Sequence, residues 1–223
     1  ALVTPKPADI ARVLQENDGL DEKTAAWAAS VGGGHVGRAR RLATDPEARE
    51  RRQRALGIAK AALRPATQYA VVEELVKAAE SDAVQINADR DERETDELRT
   101  SLGAGGTGMG AAGALRGSAG VLKELEQRQK SRRTRTGRDS LDRALIDLAG
   151  LYRDALAQSY GAASTMTHPD MEDQARGLAS VSTPESLLQC IEAILRCREA
   201  LEMNVKPKFA VDAMVATLGA AAR

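Results

Sequence analysis

Apolar positions along the chain recur at steps of three and four residues, the spacing that gathers side chains on one face of an α-helix. The clearest run is near the C-terminus. Leu187, Leu188, Ile191, Ile194, Leu195 and Leu201 make one broad apolar face. Ser182 or Thr183 stands where a helix cap is needed, Pro184 follows where its missing N–H is harmless, and Glu185 suits the positive end. Asn204 and Pro207 break and restart the chain, and Phe209, Val211, Met214, Val215 and Leu218 form a second apolar set. The N-terminal end predicts three short helices. Ile10, Val13 and Leu14 mark the first, which Asp18-Gly19 ends. Asp21 caps a second, carrying Thr24, Ala25, Trp27 and Ala28. Gly32, Gly33 and Gly34 close it and open a third through Val36, Ala39 and Leu42.

Asp45-Pro46-Glu47 is a helix start of cap, first-turn proline and acid, and a domain boundary is placed there. The following run alternates charge signs with Leu56, Ile58 and Leu63 behind it, which reads as a solvated face until Pro65. Residues 66–102 predict one long helix or a broken pair, with Tyr69, Val72, Leu75, Val76, Ala79, Val84 and Ile86 as an inward stripe in its first half. Between Asp89 and Arg99 the chain is almost wholly charged, with acids and bases three or four apart. Gly103 to Gly120 contains a formal G-x-G-x-x-G at Gly103, Gly105 and Gly108. It follows no strand and lacks the Gly-Lys-Ser/Thr of a phosphate loop, so it reads as a mobile linker. Leu122 and Leu125, then Leu141, Leu145, Leu148, Tyr152 and Leu156, predict two helices joined near Thr134 to Gly137. A polar loop follows, with a short helix at Asp170 to Leu178.

Composition narrows the class. Apolar residues make up 43% of the 223 positions but aromatics only 2%, so the core is aliphatic and alanine-rich, as in an all-α protein. The 32 basic and 32 acidic residues balance, so no global field draws the chain to nucleic acid or membrane. The one strong basic cluster runs from Arg128 to Arg138. No aromatics are interleaved for base stacking, and a solvated turn is the favoured reading, with phosphate contact through Arg132, Arg133 and Arg135 left open. No apolar run is long enough to span a bilayer and no signal peptide is visible. Cys190 and Cys197 share a predicted helix about 10 Å apart, beyond the roughly 7 Å reach of a disulfide. Reduced thiols and a cytoplasmic location follow. His35 and His168 have no metal-ligand spacing to a Cys, Asp or second His, so no metal, catalytic or cofactor residue is assigned.

Two stretches carry a resemblance. The order Ala200-Leu201, Asn204, Pro207 and an apolar helix to the end resembles the last two helices of the collar domain in bacterial clamp-loader subunits. The run from Gly33 to Ala43, G-G-H-V-G-R-A-R-R-L-A, resembles the lid of the AAA+ clamp-loader ATPases. In those relatives a glycine, a small polar residue and an apolar one precede an arginine that touches the nucleotide. Here Gly34, His35 and Val36 fill the first three positions and Gly37 stands in the arginine slot. Arg38 follows about 100° around the helix. That departure resembles the delta-prime subunits of the DNA polymerase III clamp loader, which look like ATPases without working as one.

The resemblance implies a three-helix AAA+ lid over residues 1–45 and a helical collar over 46–223, with an insertion near 89–137. It further implies a fragment of a longer chain that neither binds nor hydrolyses ATP and takes no cofactor or small-molecule substrate. Such a subunit joins other clamp-loader subunits in a hetero-oligomeric ring of the DNA polymerase III holoenzyme, a DNA-directed DNA polymerase. Through that ring it serves the sliding clamp and primed DNA. Leu188, Leu195, Arg198, Asn204, Phe209 and Met214 are the expected subunit contacts. Two other readings stay open: the lid and collar of an ATP-hydrolysing subunit, which an arginine at position 37 would have signalled, and an unrelated helical adaptor.

Overall fold

The computed structural model describes residues 4–102, 111–162 and 164–221, and among them the chain is all-helical with no strand. In order these are α1 (Pro7–Asp18), α2 (Glu22–Val31), α3 (Val36–Thr44), α4 (Pro46–Ala62), α5 (Gln68–Ser101), α6 (Ala111–Ser159), α7 (Glu172–Val181), α8 (Pro184–Glu202) and α9 (Pro207–Ala221). Short 3₁₀ turns at Pro65–Thr67 and Pro169–Met171 lead into α5 and α7. None of the described helices is long and apolar enough to cross a membrane.

The helix ends follow local chemistry. Asp21 caps α2 by accepting from the Thr24 N–H at 2.9 Å, Asp45 caps α4 through the Glu47 N–H at 2.9 Å, and Thr183 caps α8 through the Ser186 N–H. Gly33 and Gly34 hold φ of 63° and 81°, a region that side-chain-bearing residues avoid. Two such positions in succession explain why the α2–α3 turn is written in glycine.

The chain forms two compact units, Ala1–Leu75 with Arg143–Arg223, and Val76–Asp142. Residues 1–45 and 46–75 therefore lie in one unit, and most of the expected insertion lies in the other. In the first unit, Ile10, Leu14, Ala25, Ala28, Ala29, Ala39 and Ala43 make a core among α1, α2 and α3, with Trp27 packed against it. Leu56 and Ile58 of α4, Leu145, Leu148, Leu151 and Tyr152 of α6, and the inner faces of α8 and α9 are also buried. Small alanines let helix axes approach closely, so this core needs few aromatics.

The second unit is different in kind. Its two helical segments bury Ala79, Ala83 and Leu141, but also Asp82, Asn87, Asp91 and Gln129. Three expectations fail here. Of the stripe expected to face inward along α5, Val72 and Ala79 are buried, but Val84 and Ile86, and Tyr69 before them, are exposed. Thr134 to Gly137 is no joint, because α6 runs unbroken through it. Thr134 bonds back to the Lys130 carbonyl, and buried Gly137 faces Ala79 and Ala83. The glycine admits a neighbouring helix instead of turning the chain. The Gly103–Gly120 linker is corrected in its second part: residues 103–110 lie outside the described residues, whereas residues 111–120 belong to α6.

Candidate functional site

The terminal pair α8–α9 buries one side of each helix. Leu187, Cys190, Ala193, Ile194, Cys197 and Leu201 of α8 face inward, as do Ala210, Val211, Met214, Val215 and Leu218 of α9. The outer side remains apolar. Leu188 is 49% exposed, Leu195 42% and Phe209 62%, with Met203 and Val205 exposed at the turn between the helices. Five of the twelve large apolar side chains exposed among the described residues thus belong to this one hairpin. Single exposed apolar residues are ordinary; five within one hairpin make it a candidate contact surface.

The six expected contact residues divide. Leu188, Leu195 and Phe209 stand on the open side. Met214 is only 3% exposed and serves the core. Asn204 has φ of 63°. Its N–H donates to the Leu201 carbonyl at 3.2 Å, and the next N–H, of Val205, donates to the Ala200 carbonyl at 3.0 Å. That paired bonding is the helix-ending Schellman pattern, so the backbone at Asn204 terminates α8. Arg198 is half-buried.

Position 37 lies on the first turn of α3, exposed, with open space around it. Arg38 turns away and pairs with Asp147 of α6.

That pair opens onto a polar network inside the first unit that the sequence reading missed. Arg52 is buried and donates to both carboxylate oxygens of Asp170, at 2.7 and 2.8 Å. It also donates to His168 Nδ1 at 2.9 Å. A guanidinium can only donate, so Nδ1 must accept, and the imidazole carries its proton on Nε2, which gives it to the Asp147 carbonyl at 2.9 Å. Asp154, fully buried, accepts the backbone N–H groups of Thr167 and His168 at 2.9 and 2.8 Å. Trp27 Nε1 reaches Asp170 at 3.2 Å.

Burial and the adjoining Arg52 cation both push the His168 pKa below its ordinary value, the neighbouring carboxylates only partly opposing them. Burial works to raise Asp170, and the Arg52 guanidinium outweighs it, so Asp170 stays below the usual carboxylate range. The isolated loop histidine and the solvated arginine face expected here are corrected: Arg52 is buried, and Arg49 donates to the carbonyls of Leu42 and Ala43 at 2.9 Å each. Sequence spacing could not show this, since Arg52 and Asp170 lie 118 residues apart.

The basic cluster also finds acids. In the second unit Arg132 bonds Asp91 and Glu94, and Arg133 bonds Asp91 at 2.6 Å. Hydrogen bonds from Arg132 and Arg90 take the Glu94 pKa down to about 2. Two of the three candidate phosphate ligands are therefore occupied by carboxylates, and Arg135 alone is exposed. A depression of about 390 Å³ beside them is lined by Val84, Ala88, Thr95 and charged residues of both signs.

Among the described residues, no group of three or more His, Cys, Asp or Glu is placed to hold a metal ion. Cys190 and Cys197 are free and buried, and burial pushes their thiols up to about 11 and about 12, where they are unreactive. Compared with known proteins, the chain matches no family model, no curated protein and no solved structure.

Proposed function

We propose that this chain is the lid and collar of a non-catalytic, delta-prime-like subunit of the bacterial DNA polymerase III clamp loader, and that it acts by assembly. The observation that carries the reading is the outer side of the α8–α9 pair, where Leu188, Leu195 and Phe209 stay exposed while the inner side is filled. A collar helix needs two apolar sides, one for its own domain and one for its neighbour in the ring. The glycine turn at Gly33 and Gly34 ahead of α3, and the glycine in the arginine slot, support a lid that does no ATP chemistry. The partners would be the other clamp-loader subunits of the ring, its motor and wrench subunits, with the sliding clamp and primed DNA reached through the complex, in the cytoplasm. Arg132 and Arg133 are held by Asp91 and Glu94, so a phosphate reaching them would first displace those carboxylates.

The test is reconstitution. Mixed with purified motor and wrench subunits, the chain should co-elute as one complex by size-exclusion chromatography with light scattering. Separate elution at micromolar concentration overturns the reading.

A further inference from the structure

Along α8, exposed Leu188 and Leu195 lie seven residues apart, and exposed Glu185, Glu192 and Glu199 repeat at the same interval. Seven residues return a side chain to within about 20° of its starting direction, so both rows run lengthwise along the helix. The glutamate row lies roughly 40–60° from the leucines. On the other flank, half-buried Ile191 joins the leucines to the filled inner face. The exposed ridge is therefore continuous with the core on one side and bounded by carboxylates on the other. Arg196 offsets Glu192 at 3.0 Å, while Glu185 and Glu199 make no ion pair among the described residues. The inner residues already hold α8 in place, so the fold does not require the outer leucines.

We infer that this face of α8 receives an amphipathic helix of a partner chain whose apolar row is flanked by lysines or arginines. The inference rests on the assembly reading above and names the chemistry of the partner. A basic flank would lie against the open glutamates while its apolar row covers Leu188, Ile191 and Leu195. A second copy of α8 fits badly: packed antiparallel, it would set one glutamate row against the other, and like charges disfavour that pairing. A basic-flanked helix of a different chain avoids that repulsion.

Two three-heptad synthetic peptides with the same leucine row test this, one flanked by lysine and one by glutamate, titrated against the 223-residue chain by fluorescence anisotropy. The lysine peptide should bind at least about tenfold tighter at low salt. That advantage should vanish in the Glu185→Gln, Glu192→Gln, Glu199→Gln variant, and Leu188→Gln with Leu195→Gln should remove binding. All five sites are exposed, and circular dichroism verifies that the variants remain folded; Leu188→Gln alone serves if the pair does not. Equal affinity for the two peptides overturns the inference, as does undiminished preference in the glutamine variant.

The same variants are mixed with the motor and wrench subunits. If those subunits fail to join even the unaltered chain while the peptides discriminate, the clamp-loader reading falls and the seam stands. If they join and release on the leucine variant but the peptides do not discriminate, only the basic-helix inference falls.

Discussion

His168 is held by contacts that only its neutral form can make. Arg52 donates into Nδ1, and Nε2 donates to a carbonyl, so a proton on Nδ1 would face a guanidinium. A base whose folded pKa is depressed is protonated more readily in the unfolded chain. Stability is then complete above the ordinary histidine value of 6.5 and is lost as pH falls below it toward the depressed folded value. Urea midpoints should therefore drop between about pH 7.5 and pH 5. His168→Gln should lower the midpoint at neutral pH but flatten that dependence. An unchanged slope in the variant would assign the titration to another group. None of this was legible from position 168 alone: a histidine in a Thr-His-Pro-Asp loop becomes structural only when a distant arginine and two aspartates surround it.

At the scale of elements, the same substitution should act with opposite sign according to what surrounds the glycine. Gly57 lies mid-helix in α4, exposed, with open space where a methyl group would go. Gly57→Ala should stabilise by about 0.5–1 kcal/mol through helix propensity. Gly219 in α9 is buried, and an added Cβ would sit 2.7 Å from the Ala62 carbonyl of α4. Gly219→Ala should destabilise by about 1–3 kcal/mol. Thermal melts of the two variants check both signs; a gain at Gly219 would contradict the close approach of α9 to α4.

The two segments of the second unit depend on polar contacts to an unusual degree. Gln129 bonds the Asp91 carbonyl, Asn87 bonds Thr136, Ser140 bonds Asp82, and Arg132 ties Asp91 to Glu94. Removing one partner from such a set leaves the others exposed to desolvation without compensation. Arg132→Met should reduce amide-exchange protection across residues 79–98 and 122–137 while leaving α8 unchanged. Equal protection in the variant would show that the alanine contacts alone hold the pair. Here the sequence showed charge alternation but not its direction. Apolar periodicity fades where Asp91 and Gln129 occupy the seam, so pattern reading placed a joint and a solvated turn in a region that is continuous helix.

For the whole molecule, the legible parts are those written locally. The three N-terminal helices, the caps at Asp21 and Asp45, the α8 cap to within one residue, and the terminal pair were all visible, because capping residues and apolar spacing act within a few positions. The exposed apolar side of the terminal pair was half legible. Periodicity put Leu188, Leu195, Phe209 and Met214 in apolar sets, yet it could not say which members the hairpin uses for itself. The structure gives Met214 to the core and leaves Phe209 outside.

That division supplies the decisive measurement for assembly. Phe209 is 62% exposed, so Phe209→Asp should leave the fold intact, as judged by circular dichroism and melting temperature. Its affinity for the motor and wrench subunits, read by titration with light scattering, should fall at least about a hundredfold, as for a central apolar contact replaced by a charge. A folded Phe209→Asp chain that joins those subunits with undiminished affinity would contradict the claim that the outer face of the C-terminal hairpin is the assembly surface.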